Sequence, residues 1–367
     1  MLIESSNRTA SARIGESHGA QVATVLTGAW HHLPPRLDMS AEALNAITLG
    51  LLRSKTGALG WWRVRHSPLR TSAGAVRLRE AYHHHGFQAA LHSRNLSRVV
   101  TRLRSGGVEP LLVKGPAIGR LYPERGLRPF SDLDLCVGPE HYRAASMILR
   151  DWTGEFSPVD LHRGFGRLYA REWDGIYARS QLVTLGGIEV RIPCPEDHLR
   201  FLCLHQLKHG AANPLWLCDV AVAIESRPAN FDWDRALGPD RLRADWIACT
   251  IGLAHQLLGV VVENTPVADR ARRLPSWLAP SVLHHWGRQC LADYLAPELS
   301  PGIWSLLARA PQTLVQYWPN PVAATIHLRV PFNDFPRMPI QVVDASTRLV
   351  RFCVRRATGR TMAADLQ

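Results

Sequence analysis

Two aspartates, Asp132 and Asp134, stand at spacing two inside an apolar run, in a segment that reads PLLVKGPAIGRLYPERGLRPFSDLDLCV from Pro110 to Val137. On a strand, that spacing turns both carboxylates to one face and Leu133 and Leu135 to the other. Adjacent carboxylates repel, so the pair calls for a cation between them. A hard cation such as Mg²⁺, or Mn²⁺, satisfies such a pair and also binds phosphate oxygens. The run ahead of the pair adds what a phosphate needs. Lys114 and Gly115 close a short apolar strand, Gly115 permits close backbone approach, and Pro116 suits the first position of a helix. The N–H groups of that helix start would face an anion. Further on, Ser157 to His162 alternates apolar and polar residues, placing Asp160 and His162 on one face and Val159 and Leu161 on the other. Asp160 is thus a third carboxylate on a later strand. Three carboxylates on adjacent strands can hold two cations, one activating an attacking oxygen and one on a triphosphate.

The elements that must position these residues are legible in outline. Helical patterning begins near Ala41 with Ser40 in the capping position, and a long helical pattern runs from Ala73 to Arg104, where Gly106-Gly107 stops it. The strand around 110–114 follows. Gly138-Pro139-Glu140 opens a helix that lies between the Asp132/Asp134 strand and the Asp160 strand, a sign of a mixed α/β unit. From Pro195 the pattern is helical to the C-terminus, broken by Pro and Gly, and the Pro-rich stretch over 315–345 reads as irregular wrapping or a linker. The expected fold is α/β (α+β): a small mixed sheet flanked by mainly helical regions. The expected organisation is a frayed tail over 1–22, a helical region over 23–105, the core over 106–194, a helical domain over 195–314 that closes a cleft, and a Pro-rich extension over 315–367.

The sequence resembles the uncharacterised nucleotidyltransferase family of the DNA polymerase β-like superfamily. The resemblance rests on Lys114-Gly115, on Arg128-Pro129-Phe130-Ser131-Asp132-Leu133-Asp134 and on Val159-Asp160-Leu161-His162. It continues through Pro195 to Leu199, Phe201 to His209, Trp216 to Ala221 and Asp232-Trp233, and spans about residues 75 to 260. It implies a Mg²⁺-dependent transfer of a nucleoside monophosphate from an NTP, with ATP the first choice, to a hydroxyl, phosphate or carboxylate acceptor, releasing pyrophosphate. Asp132, Asp134 and Asp160 would be the metal ligands and catalytic acids. Lys114, Gly115, Arg120, Arg128, Ser131, Lys208 and His209 would contact the nucleotide. Members sit in bacterial genomes, some beside lasso-peptide clusters, which suggests peptide natural-product tailoring. Two departures stand out: Gly115 precedes Pro116 where the superfamily has Gly-Gly or Gly-Ser, and Asp160 stands where the family commonly has Glu. Two rival readings are a toxin-like enzyme adding nucleotides to tRNA and a degenerate nucleotide binder without turnover.

Other signals have plainer readings. Arg128, four residues before Asp132, suits either a triphosphate clamp or an ion pair with Asp132. His205 and His209 have a zinc spacing but no matching third ligand, and His83-His84-His85 reads as surface. Asp232-Trp233-Asp234 reads as a helix cap, Asp219 as a partner within a helical bundle, and Trp61, Trp62 and Trp216 as core. Lys plus Arg exceed Asp plus Glu by 43 − 31 = 12, which favours polyanionic partners, RNA among them, without choosing one. The 46% hydrophobic and 20% charged content is that of a globular chain. Seven cysteines without a CxxC pair read as free buried thiols of a reducing compartment. No secretory signal and no spanning stretch is visible. The expectation is a cytoplasmic protein with no membrane partner, its acceptor a small molecule, peptide or RNA.

Overall fold

The computed structural model describes residues 15–152, 158–166, 169, 172–291 and 318–358. Helix α1 occupies residues 15–26. It is followed by α2 (Ala41–Arg53), α3 (Gly57–Val64), a 3₁₀ turn (Pro68–Thr71) and the long α4 (Ala73–Ser105). The mixed unit comprises β1 (Leu111–Leu112), α5 (Pro116–Gly119), β2 (Leu133–Val137), α6 (Tyr142–Ile148), β3 (Val159–Arg163), α7 (Trp173–Ala178), β4 (Gln181–Leu185) and β5 (Ile188–Ile192). Among the described residues, eight helices follow: α8 (Pro195–Lys208), α9 (Pro214–Glu225), α10 (Trp233–Leu237), α11 (Arg241–Leu258), α12 (Ala268–Arg272), α13 (Leu278–Arg288), α14 (Pro321–His327) and α15 (Arg337–Thr358). The result is a mixed α+β fold.

The helix boundaries follow local chemistry. Ser40 caps α2 by accepting from the Ala43 N–H, and Ser72 caps α4 by accepting from the Ala75 N–H. Asp232 caps α10 in the same way through Arg235 N–H. Gly106 ends α4. The five strands form one sheet in the order β3-β2-β1-β5-β4. Pairings β2/β3 and β1/β5 are parallel, and β1/β2 and β4/β5 are antiparallel. One face buries Leu112, Leu133, Leu135, Val137, Val190 and Ile192 against Leu96, Val99, Val100 and Leu103 of α4. The opposite face carries Leu111, Val113 and Cys136 toward Phe201 of α8. A larger core joins α1–α4 to α8, α9, α11 and α13, so the N-terminal helices pack directly on the C-terminal ones.

Two expectations about the ends are corrected. The tail expected through residue 22 is helical from residue 15 within the described part, because Val22, Val25 and Leu26 bury against the main core; residues 1–14 lie outside the described residues. The Pro-rich segment expected to be irregular contains α14 and α15. Pro321 occupies the first position of α14 and Pro339 the first turn of α15, where the missing N–H has no intrahelical partner to lose. Six of the seven cysteines are free and buried; the side chain of Cys353 and the residues 315–317 and 359–367 lie outside the described set, as does Ser157. Among the described residues, no helix is long and apolar enough to cross a membrane.

Candidate functional site

The β2/β3 pairing brings the acids together. Its register sets Asp134 opposite Asp160 and Cys136 opposite His162. Alternation turns Leu133, Leu135 and Val137 into the core behind the sheet and leaves Asp134, Asp160 and His162 on the face toward α8. One ligand atom from each of these three lies within 4.8 Å of the others. Asp134 is 4% exposed, whereas Asp160 is open to solvent. His162 Nε2 lies 3.3 Å from Asp134 Oδ1 and 3.2 Å from Asp160 Oδ2. Burial alone would depress the imidazole, but these two carboxylates raise its pKa to about 9. The His162 hydrogen bond, reinforced by the charges of Lys114 and Lys208, lowers Asp160 against its burial.

Asp132 stands one residue before β2 and outside that trio. Burial, then the neighbouring carboxylate of Asp134, raises its pKa, with Lys114 and Lys55 pulling the other way. The chain itself offsets part of the repulsion expected between Asp132 and Asp134. Lys114, two residues past β1, forms a close ion pair with Asp134 Oδ1, and His162 adds a second positive charge. Two carboxylates on adjacent strands fit a hard divalent cation, with an imidazole in reach. Such a cation would compete with Lys114 and with the His162 proton for the same oxygens.

The other expected contacts separate into groups. Lys208 and His209 end α8, both exposed, and the charge of Lys208 reaches Asp160. His209 packs with His205 and Trp216 at ring separations of 4.6 and 5.1 Å, and the partial desolvation of this otherwise exposed side chain, together with the charges of Lys208 and Lys114, lowers its pKa to about 4. His205 lies in an aromatic row with Phe201 and Trp216, so its spacing to His209 serves packing. Trp62 is buried and donates to His31 O at 2.9 Å, and His83 and His84 are exposed.

Gly115 adopts φ 52°, a left-handed conformation that glycine tolerates. Helix α5 is only the single turn Pro116–Gly119. Pro116 has no N–H, and the Ala117 N–H is taken by Lys114 O, so the helix start offers an anion less than the sequence suggested. Arg120 lines a cavity of about 340 Å³ between α4, the Pro123–Arg125 loop and the β4/β5 turn, together with Ser93, Arg125 and Phe130.

Arg128 pairs neither with Asp132 nor with solvent. It is buried, and its guanidinium grips Asp219 of α9 through Nε at 3.1 Å to Oδ1 and Nη2 at 2.7 Å to Oδ2. Tyr122 donates to the same carboxylate at 2.9 Å. Burial disfavours the charged guanidinium, but Asp219 more than compensates and raises its pKa. The pair fastens the Arg128-Pro129-Phe130 run that delivers Ser131 and Asp132 to the site.

One group is missing from the sequence reading. Lys55, in the turn between α2 and α3, donates to Ser131 Oγ at 3.1 Å. No motif marks it, and it lies 76 residues from its partner in the chain. His162 was legible only as part of a motif, since its position between two carboxylates depends on the strand register.

A small mixed sheet that sets the carboxylates of Asp134 and Asp160 side by side on neighbouring strands, flanked by helices, is consistent with a nucleotidyltransferase core. The chain belongs to the uncharacterised nucleotidyltransferase family, whose model matches residues 63–259. It is an enzyme of nucleotidyl transfer, and a nucleoside triphosphate is its substrate. No curated protein and no solved structure matches it.

Proposed function

We propose that the protein moves a nucleoside monophosphate from ATP or another NTP to a hydroxyl, phosphate or carboxylate acceptor, and that Mg²⁺ or Mn²⁺ serves the reaction. The observation that carries this reading is the register of β2 on β3, which puts Asp134 beside Asp160 with His162 between them. Asp132, Asp134 and Asp160 would hold the metals; bound there, they would neutralise phosphate charge and sharpen an attacking oxygen. The remaining work falls to the chain. Lys114, paired with Asp134 in this structure, would be free to meet a phosphate oxygen when a cation occupies the Asp134 carboxylate. Lys208 and His209, at the end of α8, would meet the nucleotide from the side of Asp160 and Lys114, whose charges they share. Arg128 acts through Asp219 by holding the loop of Ser131 and Asp132, a positioning role. Arg120 lies in the wall of a separate cavity whose volume suits part of a nucleotide or a small acceptor.

Binding of metal and nucleotide to the folded chain alone predicts linkage between ligand and fold. Mg²⁺ with an NTP raises the melting temperature of the wild-type protein, and Asp134→Asn removes that shift while leaving the unliganded protein folded. With α-labelled ATP and an acceptor, label passes to the acceptor and pyrophosphate is released. Transfer of γ-label with formation of ADP would refute nucleotidyl transfer, and an unchanged shift in the variant would remove Asp134 from the metal site.

A further inference from the structure

The geometry points to Lys55 as a polyphosphate-binding residue, which makes the helical segment ahead of the family match part of the active site. The inference rests on the nucleotidyl-transfer reading above. Lys55 precedes the matched span 63–259, yet its ammonium lies 3.1 Å from Ser131 Oγ, next to Asp132. Ser131 is a neutral partner and exposed, so the contact leaves two of the three N–H donors of the ammonium open, and the negative charge of Asp132 acts on it without a direct ion pair among the described residues. The dense negative charge expected at Asp132 and Asp134 is the phosphate chain of a metal-bound NTP, and an exposed ammonium complements it.

The backbone supports the same conclusion. Lys55 has φ 61°, left-handed space that costs a residue with a side chain and suits glycine. It occupies the position just past α2 where helices commonly end in glycine: Thr56 N–H bonds Leu51 O at 2.9 Å and Lys55 N–H bonds Leu52 O at 3.1 Å, the paired bonds of a Schellman ending. The turn cannot swing freely. Ser54 and Thr56, on either side, are buried and share a hydroxyl hydrogen bond of 2.8 Å, and Ser54 also donates to Gly50 O. The result is a strained, pre-set arm whose tip faces the acid loop, the kind of outlier that accompanies function. Two histidines of α4 near it are kept from adding positive charge, since burial, with the charge of Lys55 contributing, lowers His85 to about 4 and lowers His92 as well.

Glycine separates function from structure here, because Lys55→Gly removes the ammonium while relieving the backbone. The full chain is titrated with Mg²⁺ and inorganic tripolyphosphate, then with Mg²⁺ and each of the four NTPs, and its unliganded melting temperature is recorded. Lys55→Gly is expected to melt at or above the wild type, while its Kd for Mg²⁺-tripolyphosphate rises by about tenfold or more, the effect of losing one charge-assisted contact. Lys55→Arg, which restores the charge, is expected to bind within about threefold of wild type by the same scale. Wild-type affinity in Lys55→Gly would overturn the inference, as would a lowered melting temperature in Lys55→Gly together with weak binding by Lys55→Arg, which would make the lysine a structural tie. If the wild type itself binds neither tripolyphosphate nor any NTP with Mg²⁺, the nucleotidyl-transfer reading fails first; wild-type binding with an indifferent Lys55→Gly defeats the Lys55 assignment alone.

Discussion

Asp219→Ala tests whether Arg128 supports the fold or grips substrate. The side chains of Arg128 and Asp219 are 6% and 1% exposed, and the carboxylate receives hydrogen bonds from the guanidinium and from the Tyr122 hydroxyl. Removing it leaves a buried positive charge and a buried hydroxyl without their acceptor. Breaking one side of such a pair costs about 3–5 kcal/mol, and the stranded hydroxyl lies within that range rather than adding fully to it. At about 1.3 °C per kcal/mol for a cooperative unit of this size, from an unfolding entropy of about 2.1 cal/mol/K per residue, the melting temperature falls by roughly 5 °C. Urea and thermal denaturation of wild type, Asp219→Ala, Arg128→Met and the double variant Arg128→Met/Asp219→Leu complete a cycle. The double variant recovers most of the loss, because neither charge then remains buried. A triphosphate clamp predicts the converse, weak NTP binding by Arg128→Met at unchanged stability. A loss under about 1 kcal/mol in Asp219→Ala, the range of an exposed pair, or strict additivity in the cycle, would refute the buried-pair reasoning.

Asp160 is the exposed acid of the trio, so Asp160→Ala keeps much of the NTP affinity and lowers turnover by about a thousandfold; pyrophosphate release alongside a binding titration checks this, and an equal loss of both would place Asp160 on the triphosphate. His198 is 4% exposed, and burial, then the charge of Arg120, lowers its pKa from 6.5 to about 4. Its neutral form is the one the fold favours, so its contribution is complete above pH 6.5 and is lost as pH falls toward 4, by roughly 3 kcal/mol at most. Chemical denaturation across that window shows the decline, and His198→Gln makes it shallower; an unchanged slope would count against it. Gly19 packs where an added Cβ would lie 1.9 Å from the Leu283 carbonyl oxygen. Alanine ordinarily stabilises a helix over glycine, yet Gly19→Ala is expected to lower stability by about 1–3 kcal/mol, because α1 and α13 must separate; a rise in melting temperature would contradict that close approach.

The sequence by itself determined the class. Spacing two between Asp132 and Asp134, the alternation around Asp160 and His162, and the Lys114-Gly115 strand end are local patterns, and alternation alone dictates which side chains share a face. The mixed α+β character and the long α4 were legible because periodicity and capping residues act over a few positions. The Pro-rich C-terminal stretch misled, since a proline in a first turn has the same composition as a proline in a loop. What only the tertiary structure decided is who pairs with whom. Asp134 meets Asp160 because β2 and β3 run parallel in one register among several that the alternation allows. Arg128 finds Asp219 across 91 residues rather than its sequence neighbour Asp132, because burial demands a carboxylate that can take its N–H groups bidentately and α9 carries one. Lys55 reaches Ser131 because α2 and α3 pack into the core shared with α8 and α9. Charges between segments carry no periodicity, so their partners are settled by where the cores bring the chain.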